Sequence, residues 1–333
     1  MKSNFKNAGF TLVELLMVVA LIAIVSTLAV NKIGGVRESS SRKVSLANQK
    51  AVERAVEAYL SEEGRLNRLD SLIYAGDGGA PVFGGAAGAF DFDAESTVDG
   101  HDGLYLGPYD ATADVRAKNN EGLSDALRGV LCLYALSPAQ AAALRAKLGL
   151  DYVMAHTAYA DAGAYEYPAA HYPKNRQYGD GTVPNASDGL SPNDSACVAT
   201  AVTNLMRVAA VNPLNDLGRT IYQSCGQELL NTKSWGESYD KGEVTAEVAA
   251  TGGPLVAFGL GDSASIVGKS SAGIENAPFA PFMPKANYSR YILLFRLRTI
   301  GAGSVSQTIP EFAGVLDPDG NTFRAAQFVI KRL

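Results

Sequence analysis

The chain has 333 residues, 47% of them hydrophobic, with a formal charge of −5 and a sequence pI near 5.4. That much apolar material builds a substantial core and excludes disorder as the main state. The acidic balance, with only three histidines, offers no basic groove for nucleic acid.

The first element is an apolar run from Phe10 to Val30. At about 21 residues its helical length is roughly 31 Å, enough to span the hydrocarbon of a bilayer. Ahead of it, residues 1–9 (MKSNFKNAG) form a basic leader with Lys2 and Lys6 and no acid, which holds the N-terminus in the cytoplasm and sends the remainder outward. Ala8 and Gly9 precede the apolar run, whereas in a secretory signal the small residues follow it. A cut after Gly9 would remove the leader, keep the helix and make Phe10 the new N-terminus. That cut gives Glu14 a role. A mid-membrane acid costs about 2.5–3.5 kcal/mol, and Glu14 lies about 6 Å along the helix from the α-ammonium liberated at Phe10. In a bundle of staggered copies, Glu14 of one neutralises Phe10 of the next, and the pairing sets the axial register.

The string Gly9-Phe10-Thr11-Leu12-Val13-Glu14-Leu15-Leu16-Met17-Val18, behind its short basic leader, resembles the type IV filament superfamily of type IV pilins and type II secretion pseudopilins. The resemblance implies that Gly9 precedes a prepilin peptidase cut, that Phe10 is N-methylated and that Glu14 is the assembly carboxylate. It implies a pilin-like fold, no cofactor, and a single-pass inner-membrane precursor with its head outside the cytoplasm, later part of a periplasmic pseudopilus or extracellular pilus. The implied partners are copies of itself or related pilins, the peptidase and the inner-membrane assembly machinery. Two departures stand out: no proline follows the apolar core, where the stretch reads VNKIGGVRESSS, and the chain is long for a simple pilin head.

Residues 31–64 read as an amphipathic continuation, with Val44, Ala47, Ala51, Ala55, Ala58 and Tyr59 at helical spacing and an end near Gly64. It should lay Val44, Val52, Val56, Tyr59 and Leu60 on the core of a head formed by residues 65–333. Residues 75–103, rich in Gly and Asp, read as a long loop. Ser124 and Asp125 open a helix holding Leu127, Val130 and Leu131. Ser137, Pro138 and Gln140 form a capping box for the next, which Gly149 closes. Segments 195–211 and 214–231 suggest two further helices parted by Asn212-Pro213, with one cysteine on each. In an oxidising compartment Cys197 would pair with Cys225, leaving Cys132 buried in GVLCLYALS. Strands are expected in PLVAFGL (254–260), RYILLFRLR (290–298) and FRAAQFVIKRL (323–333). The fold class expected is α+β: the long N-terminal helix packs on a C-terminal antiparallel sheet, about 244–333, with a helical and loop-rich insertion at about 75–240.

Acidic residues cluster at Asp91, Asp93, Glu95, Asp99 and Asp102, which read as a solvated loop. In LDPDGNTF, Asp317, Asp319 and Asn321 read first as a β-turn. Calcium is the alternative there, since some pseudopilins bind it in a head loop. Tyr152, Tyr159, Tyr165, Tyr167, Tyr172 and Tyr178, with His156 and His171, pack the insertion or else grip carbohydrate or a partner protein. No nucleophile elbow, P-loop, HExxH or Rossmann fingerprint is present, and GLGDSAS around Ser263 lacks the G-x-S-x-G pattern. The reading is a structural filament subunit and not an enzyme, with a minor pilin or tip adhesin as the alternative.

Overall fold

The structure is a computed structural model that describes residues 40, 42–74, 86–92, 125–156, 197–229, 240–261, 264–268, 274–278, 280, 290–301 and 306–322. Helix α1 (42–62) runs to Gly64, whose φ of +68° turns the chain out of the helix, and strand β1 (Arg68–Tyr74) begins four residues on. In chain order follow β2 (Phe90–Asp91), α2 (Asp125–Val130), β3 (Leu131–Ala135), α3 (Pro138–Lys147), β4 (Tyr152–His156), β5 (Cys197–Ala201) and β6 (Arg207–Val211). Then come α4 (Asp216–Ser224), α5 (Lys241–Thr251), β7 (Leu255–Gly259), β8 (Ile292–Ile300) and β9 (Gln307–Leu316).

Among the described residues nine strands form one branched sheet. Its long limb, β2-β3-β6-β7-β8-β9, is antiparallel throughout. A shorter limb, β1-β4-β5, joins it through the single pairing of Asp70 with Gly259, and within it β1 and β4 run parallel. The sheet is therefore mixed, where an antiparallel one was expected.

Side chains alternate across the sheet into two cores. Cys132, Tyr134, Val208, Ala210, Val256, Phe258, Leu293 and Phe295 face the side covered by α1 and α3. Leu131, Leu133, Ala209, Val211, Leu255, Ala257, Ile292 and Leu294 face α2, α4 and α5. Strands covered on both faces read as unbroken apolar runs, not as alternating ones. This is why the segment assigned to a helical insertion contributes β3, β4, β5 and β6: a short apolar run has no periodicity that separates buried strand from buried helix. Leu131 belongs to β3 and not to the preceding helix, and the helix expected over 195–211 is two strands. The C-terminal sheet region opens with a helix, α5, and β9 went unanticipated because Pro310 and Gly314 interrupt its pattern. Pro310 is tolerated there because, among the described residues, β9 pairs only with β8, so its missing N–H faces an edge. The strand expected at 323–333 lies outside the described residues.

Local signals held where the physics is local. Ser137 accepts from the Gln140 N–H while the Gln140 side chain accepts from the Ser137 N–H. Asn212 ends β6 in a side-chain turn to the Leu214 N–H, and Asn215 caps α4. On α1, Val52, Val56 and Tyr59 are buried as expected and Leu60 packs at the margin, but Val44 is 50% exposed. Replacing Val56 by Ala should therefore destabilise the fold by about 2 kcal/mol, through lost burial and a residual cavity. Val44→Ala should stay within about 0.5 kcal/mol of the parent. Chemical denaturation of the two variants, read from their midpoints, checks the pair.

Candidate functional site: the seat of helix α1

Helix α1 turns a stripe of Ser45, Gln49, Val52, Val56 and Tyr59 onto the sheet, all at most 4% exposed. The steps of four and three between them keep one face of the helix inward. Its second half is apolar. Its first half is polar, and Ser45 and Gln49 there reach Tyr291, β9 and the turn that follows it. The Tyr291 hydroxyl donates to the Ser45 carbonyl at 2.9 Å, so the Ser45 hydroxyl, also at 2.9 Å, donates back to the phenol oxygen. The Gln49 amide donates to the Val315 carbonyl at 2.7 Å and to the Asn321 carbonyl at 3.0 Å. One side chain thus holds both ends of the turn that follows β9. Losing it would strand buried carbonyls, which costs more than the net value of the bonds.

That turn is self-supporting. The Asp317 carboxylate accepts from the Asp319 N–H at 3.0 Å and the Asn321 N–H at 2.8 Å through the same oxygen. The Gly320 N–H donates to the Asp317 carbonyl, and the Asp317 N–H to the Asn321 carbonyl. Asp319 reaches Arg42 at 3.7 Å, a partly exposed pair that contributes at most about 1 kcal/mol. Asp317, Asp319 and Asn321 do come together, as the β-turn reading has it, with amide donors aimed at the carboxylate. Among the described residues no group of three or more His, Cys, Asp or Glu side chains is placed to hold a metal ion. Burial pushes the Tyr291 hydroxyl up to about 12. It pushes the Asp317 carboxyl up to about 6, with the neighbouring Asp319 adding to the rise and the turn amides opposing it.

Other expected positions are dispersed. Gly9, Phe10 and Glu14 lie outside the described residues, as do Asp93, Glu95, Asp99, Asp102, Ser263, His171 and the tyrosines from Tyr159 to Tyr178. Asp91, on β2, meets Arg207 of β6 at 3.7 Å. Tyr152 stands 47% exposed on β4, and His156 closes that strand opposite Cys197. The expected bond between Cys197 and Cys225 is not formed: Cys225 is a thiol. Topology explains it. Cys197 opens the outermost strand of the short limb, with β4 and β1 between it and β7, whereas Cys225 ends α4 beside β8 and β9. Two intervening strands at about 4.8 Å spacing already exceed the roughly 7 Å limit between bridged Cα atoms. Cys132 is buried as expected, and burial pushes its thiol well up. Ser45, Gln49 and Tyr291 escaped a hydropathy reading because they are polar, although the 45, 49, 52, 56, 59 spacing marks the face they share.

The Asp317 carboxyl gives this seat a pH dependence. Burial holds its pKa at about 6 in the folded chain against an ordinary carboxyl value of 3.8, so the native state binds the extra proton between those values. The contribution of Asp317 to stability is therefore greatest below about pH 4 and falls as pH rises toward 6, by at most about 3 kcal/mol. Asp317→Asn, which keeps the oxygen acceptor and cannot ionise, should remove this fall. Denaturation midpoints of parent and variant at pH 4 and pH 6.5 give the comparison; parallel profiles refute it.

No helix among the described residues is long and apolar enough to cross a membrane, and Phe10–Val30 lies outside them. No solved structure matches the chain. Over 80 residues it is 32% identical to prepilin peptidase-dependent protein A of Clostridium perfringens, an alignment covering 24% of this chain and 57% of that relative. The profile of the prokaryotic N-terminal methylation motif matches residues 4–30, the stretch that holds Gly9, Phe10 and Glu14. The chain thus carries, at residues 4–30, a prokaryotic N-terminal methylation motif of the prepilin type.

Proposed function

We propose that the protein is a structural subunit of a type IV pilus or pseudopilus-like filament, cut by prepilin peptidase after Gly9 and N-methylated at Phe10. The methylation motif at residues 4–30 carries this reading, and the similarity to a prepilin peptidase-dependent protein supports it. Before assembly the Phe10–Val30 helix holds the precursor in the inner membrane, with the head outside the cytoplasm. In the filament these helices pack together, and Glu14 of one copy meets the Phe10 ammonium of its neighbour. Desolvation consumes most of the Coulomb energy of that pair, so its main effect is to reject packings out of register. The described half of the stem fits a pilin-like head: α1 lies on β8 and β9 through both apolar and polar contacts. The role is mechanical, and no cofactor or catalytic step enters it.

A minor or tip-located subunit is the second reading, favoured by the tyrosine-rich segment between β4 and β5. Counting copies per filament separates the two.

Mass spectrometry of the mature N-terminus is the direct test. A chain beginning at Phe10 and carrying one added methyl group is expected. Retention of residues 1–9, or loss of the whole apolar helix, overturns the proposal. Glu14→Ala should leave membrane insertion intact and lower filament incorporation by at least about tenfold, equivalent to about 1.4 kcal/mol. Normal yield in a filament pull-down refutes the role of Glu14.

A further inference from the structure

Two helices end beside the same stretch of β8: α4 closes at Cys225 and α5 at Gly252. Arg296, on β8 opposite Leu255 of β7, donates from its guanidinium to the Cys225 carbonyl and so holds the first end. Gln227, 1% exposed, holds the second. Its side-chain nitrogen meets the Val248 carbonyl at 3.3 Å, the Gly253 carbonyl at 3.0 Å and the Thr251 hydroxyl at 3.0 Å.

These contacts use only part of each side chain. Carbonyl partners admit a nitrogen and not an oxygen, so the orientation of the Gln227 amide is fixed and its oxygen turns away from the last carbonyls of α5. That Oε1 is buried and accepts no hydrogen bond, and the Nε of Arg296 is buried and donates none. A buried acceptor and a buried donor in this condition each cost more than a hydrogen bond is worth. The two adjoin one point. A Cβ on Gly252 would stand 3.5 Å from Gln227 Oε1 and 3.4 Å from Arg296 Cδ, the atom bonded to that Nε. Both are ordinary van der Waals distances, so the missing side chain leaves room for one group of methyl size, which is also the size of a water molecule. The occupant must donate on one side and accept on the other. An anion would be repelled by the amide oxygen and a cation by the guanidinium, whereas a neutral hydroxyl satisfies both groups.

We propose that one water molecule is bound between Gln227 and Arg296, donating to Oε1 of the first and accepting from Nε of the second, in the space that Gly252 leaves by having no side chain. The bridge ties the ends of α4 and α5 to β8 in one chain of hydrogen bonds, from the Cys225 carbonyl through Arg296, the water and Gln227 to the Val248 and Gly253 carbonyls. It gives Gly252 a second reason to lack a side chain, beside its φ of +147°. This inference is independent of the filament reading, since it concerns only the interior of the head.

A crystal structure of the full chain in detergent, at a resolution that shows ordered solvent, is the test. One solvent peak within hydrogen-bond distance of both Gln227 Oε1 and Arg296 Nε is expected. Absence of that peak, or a direct bond between the two side chains, overturns the proposal. Gly252→Ala should abolish the peak and Gly226→Ala should keep it. Both substitutions place a Cβ at a positive φ, +147° and +79°, but only the first fills the space, since a Cβ on Gly226 meets nothing within 4 Å. A peak that survives in Gly252→Ala refutes the site. Should neither variant fold, the parent chain in detergent micelles decides by nuclear magnetic resonance. The Arg296 Nε–H, assigned by its loss in Arg296→Lys, should show a rotating-frame cross-peak to water of dipolar sign, opposite to that of chemical exchange; no such cross-peak overturns the water bridge.

Discussion

Coverage of the sheet on both faces is the constraint from which the rest of the molecule follows. With α1 and α3 on one side and α2, α4 and α5 on the other, every central strand must be apolar along its whole length. Polar side chains placed in that interior then serve as bridges between elements. Tyr222 shows the rule: its hydroxyl donates to the Val211 carbonyl and accepts from the Leu255 N–H, joining the ends of β6 and β7 beneath α4. Gln227 does the same for α5, its amide reaching the Val248 and Gly253 carbonyls at the end of that helix. These bridges place helices on strands with an angular precision that dispersion forces alone do not supply.

The seat of α1 combines the two kinds of contact in one helix. Val52, Val56 and Tyr59 bind without directionality, while Ser45 and Gln49 admit a single rotation and a single axial position of the helix. A helix held by greasy contacts alone could slide by a turn at modest cost. One whose Gln49 side chain must meet two particular carbonyls cannot.

Legibility in the sequence followed the range of the interaction concerned. Spacing-defined features could be read directly: the N-terminal methylation motif, the Ser137 capping box, the stop at Gly64 and the Asp317 turn all depend on residues a few positions apart. The strands β3, β5 and β6 could not, since burial on both faces erases the period that separates strand from helix. Tertiary pairing was illegible for a related reason. The cysteine pairing assumed that 195–211 and 214–231 were adjacent helices, and it failed once Cys197 proved to lie on an edge strand in the other limb. Ser45 and Gln49 lay hidden behind their polarity, although their spacing gave the face away.

The chain passes from α1 into β1 with only three residues between Gly64 and Arg68, and β1 runs parallel to β4 inside the short limb. Tension applied along the stem therefore enters the head at an interior strand, not at a frayed margin. It meets the β1–β4 ladder in shear, where several bonds must yield together, and not in the sequential unzipping that a peripheral hairpin would permit. Such wiring spreads a pull on α1 over the β1–β4 ladder as a whole.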